Sequence, residues 1–252
     1  MQDLHDKYKD KGLVVMAPHC QAGERDALEM FLLKRGVTYA VALKADTSDY
    51  PGSGIPRAAI IDVDGKIVWQ GSPNGGGVDK MIEDELKRVD FYGMGLLMKA
   101  EKGIAKKLHH LAPKLGSAWT DLQKAKEKEG AAPEIGQVIE RLTAHAEGLL
   151  ANAKKLLELG DYVAAEAQCA EIERLYKGCE WQDKAEELKK EIKAKPDYKD
   201  VAKAGAIWQQ VKAKAGKPKD AVLMARAIVA KWPDTYYGKQ ADKVVRLLES
   251  SK

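Results

Sequence analysis

Cysteine is scarce in this chain, and no two cysteines have the spacing of a redox pair. The 252 residues contain only Cys20, Cys169 and Cys179, and no Cys-x-x-C occurs. Cys169 and Cys179 are ten residues apart in sequence, which corresponds to roughly 15 Å along a helix, whereas a disulfide needs Cα atoms within about 7 Å. The sequence therefore predicts no structural disulfide.

Aromatic residues and long apolar runs are also few. Aromatic residues make up 6% of the chain, while the apolar fraction of 45% is sufficient for proper cores. No apolar run approaches the roughly 20 residues that span a bilayer, so we predict no membrane span. The first residues, MQDLHDKYKD, are polar and charged and do not resemble a signal peptide. Taken alone, this feature favours the cytoplasm.

The net charge of +4 is unevenly distributed. Residues 1–90 carry 12 basic and 15 acidic side chains, whereas residues 91–252 carry 30 and 23. This shift predicts two domains. In the second part, basic residues alternate with glutamate at helical spacing, as in KAEELKKEIKAK, which is typical of a solvated helix face. We therefore predict no nucleic-acid partner, with a functional basic patch as the alternative.

The first ninety residues show the pattern of an α/β domain. LVVMAP (13–18) is a continuous apolar run, which predicts a strand buried on both faces of a parallel sheet. Asp64-Gly65 between two apolar segments predicts a β-hairpin rather than a calcium loop, because the later calcium ligands are missing. The predicted order is helix 2–10, strand 13–18, helix 24–36, strand 39–43, hairpin 58–71 and helix 78–89.

From residue 91 onward the pattern predicts helices only. The predicted helices are 91–112, 117–129, 134–159, 162–177, 180–194, 198–215, 218–231 and 236–250. Residues 160–176 align with 216–232 at an offset of 56, matching Ala165 with Ala221 and Tyr176 with Trp232. A small residue one turn into a helix and a bulky residue near its end allow close helix packing, which predicts an internal repeat.

The phrases LLELGDYVAAEA and AKWPDTYYGKQA within residues 150–250 resemble the tetratricopeptide repeat. The 56-residue offset departs from the period of that family, so we expect one extra helix to intervene. The resemblance implies that the helical domain, residues 91–252, binds a protein partner or a second copy of the chain.

Residues 1–89 resemble the redoxin branch of the thioredoxin-like family of thiol-disulfide oxidoreductases. The matching segments are QDLHDKYKDKG, LVVMAP and GIPRAAIIDVDGKIVWQG. The resemblance implies a thioredoxin-like domain outside the bacterial cytoplasm, with a cis bond between Ile55 and Pro56. It also implies that Ile55, Pro56 and Arg57 bind an extended substrate segment, which pairs with the backbone as an added strand.

The same resemblance implies that the dithiol and one central strand are absent. In the family they come before the helix with which this chain starts, and the strand lies between LVVMAP and AAIIDV. Two interpretations remain open, namely a chain whose start is placed too late and a truly degenerate protein. Because unpaired buried backbone groups are costly, we expect the gap to be filled by a second copy or an upstream segment.

Three functions follow as hypotheses. The first is descent from thiol-disulfide oxidoreductases with the exchange activity absent, and the second is a non-catalytic interaction scaffold. The third is a one-cysteine redox protein that uses Cys20, which follows the predicted strand where this fold has its active site. His19 would face the opposite side of the strand from Cys20, which argues against a Cys-His pair. His109 and His110 diverge on a helix, so we predict no metal site, and we also predict no cofactor.

Overall fold

A computed structural model of the chain describes residues 1–19, 25–45, 56–109, 113–214 and 217–249. Its contacts divide the chain into two compact units. The first unit comprises Met1–Leu28 and Val37–Phe91, and the second comprises Glu29–Gly36 and Tyr92–Lys252.

The β-strands all lie in the first unit and form two small sheets. The elements are α1 (Gln2–Tyr8), β1 (Met16–His19), α2 (Arg25–Arg35), β2 (Ala40–Leu43), β3 (Ala58–Ile61), β4 (Ile67–Gly71) and α3 (Val78–Leu86). Strand β1 pairs with β2 in parallel, and β3 pairs with β4 antiparallel. Each sheet has two strands among the residues described, and no ladder joins one sheet to the other.

The prediction for residues 13–18 was wrong in both its bounds and its burial. The strand begins only at Met16, and of the apolar run Val15 is buried while Val14 and Met16 are 73% and 67% exposed. A continuous apolar run predicts burial on both faces only if other elements cover both faces. Here the exposed side chains of β1 leave one face uncovered.

The hairpin is confirmed, but its turn is longer than the two residues predicted. Ile61 pairs with Ile67, and the backbone N–H of Asp62 donates to the Lys66 carbonyl at 2.9 Å. The Asp62 carboxylate also accepts the backbone N–H groups of Asp64 and Lys66. Only Gly65 has positive φ, +78°, so the side chain of Asp62 shapes the turn.

The buried core of the first unit is small. Its described buried side chains, Tyr8, Val78 and Ile82, bring α1 against α3, with Ile60 and Trp69 packing at the edge. The Tyr8 hydroxyl lies 2.9 Å from Asp79 Oδ1 and 2.8 Å from Glu83 Oε1. At one corner of this core, Arg88 at the end of α3 forms ion pairs with Asp62 and Asp64 of the hairpin turn.

The second unit is helical, and no strand occurs among its described residues. Its helices after α2 are α4 (Met94–Leu97), α5 (Lys102–Ala105), α6 (Leu115–Lys126), α7 (Pro133–Glu158), α8 (Tyr162–Leu175), α9 (Glu180–Lys193), α10 (Tyr198–Ala213), α11 (Pro218–Lys231) and α12 (Tyr236–Glu249). The single helix predicted for 91–112 is wrong, because two short helices and a 3₁₀ turn replace it. No helix in the described ranges is long and apolar enough to cross a bilayer.

A 56-residue offset recurs in the bounds of the helices. Helix α8 begins and ends 56 residues before α11, and α9 does so before α12. Equivalent positions are buried in both copies, among them Ala165 with Ala221 and Ile172 with Ile228. Three helices, α7–α8–α9, are therefore followed by three of the same order, α10–α11–α12. Gly216 lies outside the described residues, so the proposed equivalence of its turn with that of Gly160 stays a prediction.

Candidate functional site

Two of the four residues that the sequence nominated for a site lie outside the described ranges. They are Cys20 and Ile55, and the geometry of the Ile55–Pro56 bond is therefore also outside them. Pro56 and Arg57 are exposed and directly precede β3. The Arg57 guanidinium donates to Gln70 Oε1 of β4 at 3.0 Å. This places Arg57 at one end of the hairpin.

The two cysteines of the helical unit are free thiols in apolar surroundings. Cys169 is fully buried on α8, and burial raises the pKa of its thiol to about 11. Burial also raises the pKa of Cys179, whose Sγ donates to the Tyr176 carbonyl oxygen at 2.9 Å. Since the thiolate is the nucleophile in disulfide exchange, neither residue is activated at neutral pH.

Each of the four strands has one edge without a partner strand in the described part of the chain, because each small sheet contains only two strands. Strand β1 pairs only with β2, and β3 only with β4. The residues of β3 are Ala-Ala-Ile-Ile, with neither charge nor proline, whereas Pro18 removes one backbone donor from β1. No proline removes a backbone donor from β3, so its outer edge keeps the alternate N–H and C=O groups that point away from β4.

Exposed apolar side chains accompany these edges. Val14 and Met16 are exposed at β1, and Ile61, Ile67 and Val68 are exposed on the β3–β4 hairpin. Ile61 and Ile67 are direct cross-strand partners, so their side chains form one continuous surface. We name Ala58–Ile61 together with Ile67 and Val68 the hairpin edge.

A histidine that the sequence did not indicate lies half-buried on α7, beside the apolar core of the helical unit. His145 Nδ1 on α7 lies 2.8 Å from the hydroxyl oxygen of Tyr176, which donates to the Leu142 carbonyl oxygen at 2.9 Å. Because the carbonyl takes the hydroxyl hydrogen, Nδ1 carries the ring hydrogen and donates to Tyr176. Tyr92 packs edge-on against the ring. No sequence pattern indicated this residue, because His145 lies beside the apolar stripe of α7 and not within it.

Burial lowers the pKa of His145, and this shift makes the unfolding free energy depend on pH. The unfolded chain binds a proton at higher pH than the native chain, so this histidine favours folding above its unfolded pKa of about 6.5. Between pH 7.5 and pH 5, we expect the unfolding free energy to fall more steeply in the wild type than in His145→Gln. Chemical unfolding across this pH range measures the difference. Parallel curves for the wild type and His145→Gln would contradict the expected role of His145.

An open groove of about 250 Å³ lies between α5 and α6. Its lining includes Ile104, Glu101, Asp121, Lys124 and Lys128. The Asp121 carboxylate accepts a hydrogen bond from Lys107, which also reaches Ser117 Oγ at 2.8 Å. In the parts of the chain that the structure describes, no cluster of histidine, cysteine and acidic residues could hold a metal ion.

Comparison with known proteins gives no relative from which a function could be transferred. No protein-family model, no curated protein and no solved structure matches this chain.

Proposed function

We propose that this chain is a thioredoxin-like protein without a dithiol, and that it functions by binding a polypeptide strand at the hairpin edge. The observation that carries the proposal is the unpaired edge of β3 beside the exposed Ile61, Ile67 and Val68. An exposed apolar edge strand is a template on which another chain can add a strand. The relationship to redoxins rests on the sequence resemblance alone.

The unequal cores of the two units support the proposal. The helical unit has a cluster of 35 buried side chains, whereas the described core of the first unit has three. A two-stranded sheet alone is marginally stable in water, and a third strand with an apolar face adds both hydrogen bonds and burial. A strand from outside would therefore stabilise the unit that has the smaller core.

A second copy of the chain is the partner that fits the hairpin edge. The segment Ala58–Ile61 is uncharged, so two antiparallel copies would bring no like charges opposite each other. A two-fold axis would make the contact isologous, which closes the assembly at a dimer. Each subunit of the dimer would then contribute one helical unit as a scaffold.

The test combines sedimentation equilibrium with amide hydrogen exchange at several protein concentrations. We expect a monomer–dimer equilibrium in which the amide hydrogens of Ala59 and Ile61 become more protected as the concentration rises. Ala59→Lys should shift the protein to monomer, because a charge on an edge strand opposes strand addition. Ala144→Lys, on an exposed face of α7, is the matched control and should leave the equilibrium unchanged.

A monomer whose β3 amide hydrogens exchange freely at every concentration would overturn self-pairing, and a monomer with protected β3 hydrogens would show that the chain covers its own edge.

A separate assay tests the expected absence of disulfide-exchange activity. Insulin reduction is expected to stay at the uncatalysed rate, and turnover that disappears in Cys20→Ser would instead support the one-cysteine hypothesis.

A further inference from the structure

The two three-helix groups of the helical unit contact each other through α8 and α10. Helix α10, the first helix of the second group, packs against α8, the second helix of the first group. The Tyr198 hydroxyl donates to Glu166 Oε2 at 2.9 Å, and a Cβ atom added at Gly205 would lie 2.7 Å from Val163 Cγ2. The positions of Val163 and Glu166 on α8 are therefore contacted by the first helix of the group that follows.

The same positions of the second group lie on α11, 56 residues further along the chain. Val163 corresponds to Lys219, and Glu166 corresponds to Val222. Lys219 is exposed, and Leu223 beside Val222 is 71% exposed, the highest value of any large apolar side chain described in the helical unit. Helix α11 packs against α10 and α12, and the described part of the chain contains no helix of a third group that could cover it.

One face of α11 thus has no neighbouring helix among the residues described. Its side chains recur at the spacing of a single helix face, and we name them the α11 face: Lys219, Val222, Leu223, Arg226, Ala227 and Ala230. All are exposed except the half-buried Val222. The terminal repeat of a helical array generally has a polar outer face. This face instead combines two apolar anchors with two exposed alanines, which is the composition of a contact between helices.

The charge around the α11 face indicates the chemistry of its partner. Residues 199–231, which comprise nearly all of α10 and the whole of α11, carry eight basic and two acidic side chains. Two copies of the chain joined through this face would bring two basic surfaces together, which opposes self-association there. A helix with acidic side chains beside its apolar stripe is attracted by the same charge, and it would bury Leu223.

We infer that the α11 face binds an acidic amphipathic helix of a protein partner, in the position that α10 occupies on α8. The apolar stripe of the partner helix packs on Val222 and Leu223, and a small side chain in the stripe allows the close approach that Gly205 gives α10. The acidic side chains of the partner lie beside Lys219. Strand addition at the hairpin edge is a separate event, so Ala59→Lys should not affect binding at the α11 face.

Fluorescence anisotropy of a labelled peptide mixed with the full chain tests this inference. The probe has the sequence of α10, Tyr198–Ala213, with its three lysines replaced by glutamate, because α10 is the helix that packs on the equivalent positions of α8. We expect this acidic peptide to bind roughly tenfold more tightly than the peptide that keeps the lysines, since three charges are reversed.

Two substitutions separate the apolar from the electrostatic contribution. Leu223→Ala should weaken binding of the acidic peptide by about tenfold, because it removes the large apolar side chain of the face. Lys219→Glu should weaken binding of the acidic peptide by roughly threefold and strengthen binding of the lysine peptide by a similar factor. A general loss of structure would not produce such an exchange of preference.

Leu159→Ala and Lys154→Glu are the matched controls, since both residues are exposed and lie at the end of α7 or within it. Each should leave peptide binding within about twofold of the wild type. Equal losses in Leu223→Ala and Leu159→Ala, or no binding of the acidic peptide, would overturn the inference. Sedimentation equilibrium supplies the remaining outcome: self-association that Leu223→Ala abolishes and Ala59→Lys does not would make a second copy the occupant in place of an acidic helix.

Discussion

Gly116→Ala is expected to destabilise the helical unit by roughly 3 kcal/mol. Gly116 lies in the first turn of α6, where the backbone that follows α8 passes directly over it. A Cβ atom at this position would lie 2.2 Å from the Lys177 carbonyl oxygen and 2.7 Å from the Tyr176 carbonyl carbon. Both atoms belong to the backbone, so the clash cannot be relieved by rotating a side chain. Urea unfolding followed by circular dichroism measures the loss.

Gly148→Ala on α7 is the matched control. Gly148 is also a helical glycine, but it is exposed, and a Cβ atom there would contact nothing within 4 Å. Alanine is a better helix former than glycine, so this variant should be more stable by up to about 1 kcal/mol. If Gly116→Ala and Gly148→Ala changed the unfolding free energy in the same direction, the close approach of the backbone to Gly116 would not explain the effect of Gly116→Ala.

Asp161→Ala is expected to cost about 3 kcal/mol, because one carboxylate has two structural roles. Asp161 caps α8 by accepting the backbone N–H of Ala164 at 3.1 Å. It also accepts a hydrogen bond from the hydroxyl of Tyr237, which is buried on α12, 76 residues away. Alanine removes the cap and leaves the Tyr237 hydroxyl without its acceptor.

The two roles of Asp161 can be separated by a second set of variants. Asp161→Asn keeps an oxygen acceptor for both contacts and should cost about 1 kcal/mol or less. Tyr237→Phe in the Asp161→Ala background should have a smaller effect than in the wild type, because the hydroxyl has already lost its partner. Asp183→Ala, at an exposed position in the first turn of α9, should change stability by less than about 0.5 kcal/mol. Full additivity of Asp161→Ala and Tyr237→Phe would show that the hydroxyl contact contributes no stability.

Other hydrogen bonds from a tyrosine hydroxyl to a carboxylate also join the helices α7–α9 to the helices α10–α12. The Tyr162 hydroxyl donates to Asp197 at 3.1 Å, and the Tyr198 hydroxyl donates to Glu166 at 2.9 Å. Each of these contacts connects α8 with α10 or with the residue before it. Buried and half-buried tyrosine rings, each with a hydrogen-bonded hydroxyl, thus connect the second group with the first.

The helices from α7 onward could be read from the sequence because their signals are local. Pro133 and Pro218 occupy first turns, Gly160 takes the positive φ that ends α7, and the apolar residues recur at helical spacing. The 56-residue offset was visible for the same reason, since each copy repeats its own turn and packing residues. The Asp64-Gly65 hairpin is another local signal, although the side chain of Asp62 determined the length of the turn.

Tertiary structure alone decided which strand edges and side chains are exposed and which polar groups meet. The apolar run 13–18 is compatible with burial on both faces, but whether a face is covered depends on elements far along the chain, and Met16 is exposed. The contact of Asp161 with Tyr237 and that of His145 with Tyr176 join residues on different helices, which no periodicity encodes. The sequence by itself determined the helices from α7 onward and the β3–β4 hairpin, because caps, turns and periodicity act within a few residues. Which edges stay open and which polar groups meet depends on packing between distant segments, and only the folded chain decides it.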